Sequence, residues 1–166
     1  EHRFGRRPEG MWLPETADDL ATLDTLADHD IRFTILAPWQ TRDVQVDTSE
    51  PYWVALPSGR RMAVFLFDPQ LSKHVSFTPR VTVNAAQFAE LVLPMRLHWH
   101  KEQVGRPQLL LIATDGELYG HHQKFRDLFL RDLIRNRAPQ QGFVVTPLAR
   151  YLRDSPPERE VEIWEP

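Results

Sequence analysis

The sequence predicts an α/β fold with a mostly parallel, open sheet. The run Leu109, Leu110, Leu111 and Ile112 has no polar alternation, which suits a strand covered on both faces. Short apolar segments alternate along the chain with amphipathic stretches, the signature of β/α units. About five core strands can be counted, too few to close a barrel of about seven or eight, so an open sheet or part of a barrel remains.

The elements follow in order. Gly10-Met11-Trp12-Leu13-Pro14-Glu15 is a short apolar segment ending in an acid. Thr16 is placed to open a helix, with Asp19 at capping-box spacing and Leu20, Leu23, Leu26 and Ala27 as its apolar stripe. Ile31 to Leu36 reads as a strand ending in Ala37-Pro38-Trp39-Gln40. Tyr52 to Leu56 and Arg61 to Phe67 flank Pro57-Ser58-Gly59, a turn signal, and form a hairpin or adjacent strands. A short helix covers Leu71 to Phe77. Asn84 is placed to cap a helix through Phe88, Leu91, Val92 and Met95, kinked at Pro94. After the Leu109 strand, Lys124 to Arg137 is amphipathic, with Phe125, Leu128, Phe129 and Leu133 inward. Phe143 to Thr146 reads as a strand, Leu148 to Arg153 as a short helix, and Glu160 to Trp164 as a last strand.

Composition excludes several classes of function. The 166 residues suffice for one core, and 42% hydrophobic with 26% charged residues is ordinary for a globular chain. A formal charge of −3 gives no reason to expect nucleic acid or an anionic membrane as partner. The absence of cysteine excludes disulfides, thiolate zinc sites and thiol nucleophiles, and fits a cytoplasmic location. No apolar run approaches the roughly 20 residues of a membrane span. The ends, Glu1 without Met and Glu165-Pro166 just after a strand, read as cuts through a longer polypeptide, with the remainder of that polypeptide as partner on both sides.

The main constellation is Glu15 with Asp115. Both are expected at the carboxyl ends of strands, where α/β enzymes keep their chemistry. Two carboxyl groups across a glycosidic bond can divide protonation of the leaving oxygen from attack on the sugar. The alternatives are that Glu15 favours a helix dipole and that Asp115 is a turn residue. Trp39 and Gln40, just past a strand end, suit a carbohydrate site, because indole faces stack on sugar rings and amides bond hydroxyls. Trp12 lies within its segment, where core packing competes with that role. Glu117 is suited to bind a hydroxyl, orient a partner or form an ion pair. His98 and His100 are two apart and point away from one another on a helix, so they are not read as metal ligands. Phosphate loops and serine elbows are absent.

The segments Gly10 to Glu15 and Thr114-Asp115-Gly116-Glu117-Leu118-Tyr119-Gly120-His121 resemble, in this order, two motifs of glycoside hydrolase family 57. The resemblance covers nearly the whole chain and is strongest to a poorly characterised bacterial branch. It implies residues 1–166 as a single partial catalytic domain, part of a (β/α)7-type barrel incomplete at both ends. It implies Glu15 as nucleophile and Asp115 as general acid/base of a retaining enzyme acting on α-glucans, with no cofactor and no metal. It also places His121 near the sugar; His121 and His122 have the alternative of facing solvent at a helix start. Three departures are visible. A His-Gln-Pro-like first motif would lie upstream, a helical region would lie beyond Pro166, and Thr16 follows the nucleophile where some members carry Arg. The segment alone is therefore expected to be inactive, and marginally stable because of an open edge. Two rival readings are a metal-dependent carbohydrate deacetylase, which needs an Asp/His ligand cluster, and a glucan-binding protein without catalysis.

Overall fold

Phe33, Ala63 and their neighbours pair into a four-stranded sheet among the described residues of the computed structural model, which describes residues 3–164. Its strands are β1 (Gly10–Met11), β2 (Phe33–Leu36), β3 (Tyr52–Ala55) and β4 (Arg61–Leu66), in the order β1-β2-β4-β3. β1 runs parallel to β2, β2 parallel to β4, and β3 antiparallel to β4. The α/β class and the mostly parallel, unclosed sheet are as the sequence predicts.

The chain divides into two compact units. Residues up to Phe67, together with those from Leu148, form the first; Asp68–Pro147 forms the second.

In the first unit, β4 is the central strand. Met62 to Leu66 are all buried, the pattern of a strand covered on both faces. Alternation along the strands sends Met62, Val64 and Leu66 to one face with Leu36, Tyr52 and Val54, and this face packs on Leu23 and Leu26. These two leucines come from helix α1 (Leu20–Asp28), whose stripe is the expected one. The helix begins at Leu20 rather than near Thr16. Thr16 has φ 53°, outside the helical region, and Asp19 instead caps α1 by accepting from the Thr22 N–H at 2.6 Å. On the opposite face Phe65 meets Phe33 edge-on at 5.4 Å and Tyr151 at 6.3 Å. Tyr151 belongs to the C-terminal helix Leu148–Asp154, again as expected.

The hairpin is confirmed. Leu56 N–H donates to the Arg60 carbonyl at 3.0 Å, and Gly59 supplies the positive φ of 81° that the turn needs. The turn is tied to α1: Asp24 accepts from the Ser58 hydroxyl at 2.5 Å, from Arg60 and from the Ser58 N–H at 3.0 Å, and these bonds, the hydroxyl's first, hold its carboxyl below the usual carboxylate range. The expected last strand is reduced to isolated bridges, Trp53 with Glu160 and Thr41 with Ile163. The first covers the outer edge of β3, the second joins the loop after β2, and Val161 and Ile163 are buried.

In the second unit, helix α2 (Pro69–Phe77) is capped by Asp68, which accepts from Gln70 and Leu71 at 2.9 Å each and pairs with Arg96 at 2.7 Å. Asn84 caps helix α3 (Ala85–Gln87) as expected. This helix widens into a π-turn over Phe88–Val92 and gives way to a 3₁₀ turn at Pro94–Arg96, because Pro94 lacks the N–H that would continue it. Further on, α4 (Trp99–Gln103) and α5 (Arg126–Asp132) follow. Phe88 and Phe129 meet edge-on at 5.5 Å in a core with Leu71, Val75, Leu118 and Leu133. Two residues expected inward, Phe125 and Leu128, are 71% and 45% exposed. Phe125 lies before the first helical residue at φ 63°, so the helical spacing does not govern it.

Two expected strands join no ladder among the described residues. Leu109 to Ile112 is half-buried, with Leu110 and Ile112 packed on the second core. Its backbone bonds run instead to the start of α2: the Leu111 carbonyl accepts from Asp68 N–H at 2.8 Å, and Ala113 N–H donates to Ser72 Oγ at 3.1 Å. Asp115 is therefore not at the end of a sheet strand. Phe143 to Thr146 likewise has no strand partner, and Val144 is 82% exposed. An apolar run specifies burial, but a ladder also needs a neighbouring edge. No described helix is long and apolar enough to cross a membrane.

Gly10 sets how closely β1 approaches β2. A Cβ there would lie 2.1 Å from Cε2 of Phe33, whose ring is buried between β1 and Phe65. Gly10→Ala is expected to destabilise the first unit by about 1–3 kcal/mol through overpacking. Denaturant titration of both proteins checks this; equal midpoints would show that Phe33 yields freely.

Candidate active site

Four of the residues singled out by sequence fall in the first unit. β1 ends at Met11, and Pro14–Thr16 forms a 3₁₀ turn in which Glu15 and Thr16 adopt left-handed φ of 57° and 53° in succession. Non-glycine residues visit this region seldom, and such strain is maintained only where surrounding contacts fix it, often at functional sites. The contacts are visible. Thr16 N–H donates to the Leu13 carbonyl at 3.1 Å, and Ala17 N–H to that of Pro14 at 3.1 Å. Trp12 Nε1–H reaches Thr16 Oγ1 at 3.4 Å. Gln40 Nε2–H donates to the Thr16 carbonyl at 2.7 Å, and Gln40 Oε1 accepts from Ala37 N–H at 2.8 Å. The Gln40 amide thus ties the loop after β2 to the turn of Glu15. One N–H and one lone pair of that amide are left for other partners. The Glu15 carboxylate projects exposed from the turn.

Trp12 and Trp39 are not core residues. β1 stops before Trp12, leaving it 41% exposed, and Trp39 is 66% exposed with its ring edge-on to Phe67 at 5.6 Å. Both indoles can offer a face to a flat apolar ligand such as a sugar ring.

Asp18 was not singled out by sequence. Both of its carboxylate oxygens are buried without a hydrogen-bond partner among the described residues. Burial, and then the charge of Asp19, push its carboxyl up to about 6. Asp19, by contrast, is held below the usual range by its bond to Thr22. Two adjacent acids before a helix were the available signal, since only one can be the cap.

The other four singled-out residues share one turn of the second unit. Asp115 precedes a 3₁₀ turn, Gly116–Leu118, and its carbonyl accepts from Leu118 N–H at 3.2 Å. Leu118 is buried in the second core and anchors the turn. The N–H groups of His121 and His122 both donate to the Glu117 carbonyl, at 3.2 and 3.0 Å, with Gly120 at φ 117° allowing the reversal. This folding back brings three exposed side chains together. His122 Nε2 lies 3.2 Å from Glu117 Oε2, and the rings of His121 and His122 stack at 4.8 Å and 12°. One donor atom from each of Glu117, His121 and His122 lies within 4.8 Å of the others. The expected divergence of His98 and His100 does not hold: their rings are 5.5 Å apart, because His98 precedes the first residue of α4 and lies off the helical spiral. No third ligand joins that pair among the described residues.

A family model described as glycosyl hydrolase family 57 matches residues 1–163. No curated protein matches the sequence. Among solved structures, a GH57-type branching enzyme from the hyperthermophilic archaeon Pyrococcus horikoshii is similar at 18% identity and TM-score 0.76, over 99% of this chain and 41% of that one. A GH57 branching enzyme from Thermococcus kodakaraensis, in complex with glucose, matches at 20% identity and TM-score 0.76, over 98% of this chain and 42% of that one. A 4-alpha-glucanotransferase from Thermococcus litoralis matches at 18% identity and TM-score 0.66, over 98% of this chain and 23% of that one. At these identities the likeness is one of fold, and the chain spans about two fifths or less of these relatives.

Gln40→Ala removes the bond to the Thr16 carbonyl, which ties down the Glu15 turn, and the bond from Ala37 N–H. A loss of about 1–3 kcal/mol of stability is expected, since the Thr16 carbonyl loses its partner. Chemical denaturation reads it, and no change would show the turn to be self-supporting.

Asp18 generates a pH dependence of unusual sign. Its folded-state value of about 6 lies above the ordinary 3.8, so between these values the folded state retains a proton that the unfolded state has released. Stability from this group is full below about pH 4 and is lost as pH rises through 6. Asp18→Asn should therefore raise the melting temperature above pH 7 and lose that advantage near pH 4. A constant difference across the range would show that Asp18 is ionised without penalty.

Proposed function

The chain belongs to glycosyl hydrolase family 57, a family of enzymes, and from that premise we propose that it carries the two catalytic carboxyl groups of a retaining glycosidase or glucanotransferase. The observation that carries the reading is the turn of Glu15. Glu15 stands on two consecutive left-handed residues, and Gln40 and Trp12 hold this turn through Thr16. Strain held this way favours a fixed reacting group over a merely soluble side chain.

In the proposed mechanism Glu15 attacks the anomeric carbon as Asp115 donates its proton to the departing glycosidic oxygen. A glycosyl ester on Glu15 results. Asp115, now ionised, takes a proton from water or from a sugar hydroxyl. That oxygen displaces Glu15 and restores the original configuration. Water as acceptor gives hydrolysis and a sugar hydroxyl gives transfer. The double displacement needs no cofactor. Trp12 and Trp39 offer exposed aromatic faces for stacking on the sugar, while Glu117, His121 and His122 offer polar atoms for its hydroxyls. Gln40 serves first as a positioning residue through Thr16. The names of the structural relatives, branching enzyme and 4-alpha-glucanotransferase, support an α-linked glucan as substrate. The chain spans about two fifths or less of its structural relatives, which supports a catalytic domain completed by further polypeptide, and the lack of cysteine supports the cytoplasm as its setting.

The test uses the active enzyme on soluble α-glucan. Glu15→Gln and Asp115→Asn should each lower turnover by orders of magnitude with the fold intact, because each removes a role realised in the transition state. Azide should partly restore Glu15→Ala and yield a glycosyl azide of inverted configuration. Wild-type turnover in either carboxamide variant would remove that residue from the mechanism.

A further inference from the structure

We propose that Glu117, His121 and His122 form a binding site for a divalent transition-metal ion, with Zn²⁺ as the reference ion. The inference stands on the geometry of one turn, and it gives to an ion the same side-chain atoms that the proposed function offers to sugar hydroxyls, so ion and sugar compete for them.

Two imidazoles and a carboxylate are donors suited to Zn²⁺, Ni²⁺, Cu²⁺ or Co²⁺ rather than to Ca²⁺ or Mg²⁺, which take oxygen. Zinc bonds of about 2.1 Å at tetrahedral angles place neighbouring donors about 3.4 Å apart. Here His122 Nε2 and Glu117 Oε2 are already 3.2 Å apart, and the three donors fit within 4.8 Å. Side-chain rotations that shift the remaining donor by about an ångström complete the set. Three protein ligands leave at least one position for water.

The backbone has already brought the ligands together. Both histidine N–H groups bind the Glu117 carbonyl, so the peptide chain holds residues 117, 121 and 122 on one side of the turn. A cross-connection at Gln123 closes it: Gly120 N–H donates to the Gln123 carbonyl at 3.1 Å, and Gln123 N–H to that of Leu118 at 3.2 Å. Buried Leu118 fixes this turn to the second core. Little chain ordering is then left for the ion to impose, which favours affinity. The His122 ring pairs with Glu117, and the His121 ring stacks on it with centroids 4.8 Å apart, so all three side chains leave the turn on one side. No other described cluster brings three such donors together.

Zn²⁺ titration of the metal-free chain by calorimetry, with Co²⁺ absorption as a report on geometry, tests the site. One ion per chain at micromolar affinity is expected, with Co²⁺ bands of four- or five-coordinate intensity. His121→Ala and His122→Ala should each weaken binding at least about tenfold, and Glu117→Gln measurably. All three side chains are exposed, so these variants should keep the wild-type circular dichroism. Two results would overturn the proposal: no saturable binding, or binding that survives His121→Ala and His122→Ala but is lost in a His98→Ala/His100→Ala variant.

Discussion

The first unit depends on the close approach of β1 to β2 at Gly10. The Phe33 ring fills the space where a side chain on residue 10 would stand. The same ring packs edge-on against Phe65 of the central strand, so one contact links β1, β2 and β4. Because β1 is only two residues long, its position fixes the start of the Glu15 turn within a few bonds. Rigidity at the sheet is thus transmitted to a surface carboxylate through Trp12, Leu13 and Pro14.

That turn is expensive to keep. Two successive left-handed residues cost on the order of 1–3 kcal/mol each where the surroundings enforce them. A few residues on, both carboxylate oxygens of Asp18 are buried with no hydrogen-bond partner among the described residues. Neither feature aids folding, and both lie in the short connection between β1 and α1. Concentration of strain and unsatisfied charge in one connection, beside a core of ordinary aliphatic packing, is the pattern expected where a chain is shaped by function as well as by stability.

The turn of the second unit works differently. Asp115, Glu117, His121 and His122 are presented by a hydrogen-bonded reversal anchored on Leu118, not by a strand end. Its precision derives from local backbone bonds and one buried leucine. The turn residue reading of Asp115 describes its local setting, and such a setting is compatible with a catalytic role.

Much of the fold was legible in the sequence for physical reasons that act locally. The Leu20, Leu23, Leu26 stripe has helical period, Pro57-Ser58-Gly59 carries turn chemistry, and Asn84 is a strong cap. The candidate acids were legible as carboxylates after short apolar segments, and the order of two motifs pointed to the family. Tertiary structure alone decided the rest. Leu109 to Ile112 has the composition of a strand, but a ladder requires a second edge, and its bonds go to Asp68 and Ser72. Gln40 carries no local mark of its role, since its partner Thr16 is 24 residues distant. Asp18 and Asp19 are the same residue type side by side; which one caps the helix and which is buried follows only from how the chain enters α1. Period and capping depend on neighbours in sequence, whereas strand pairing, burial and convergence of side chains depend on neighbours in space.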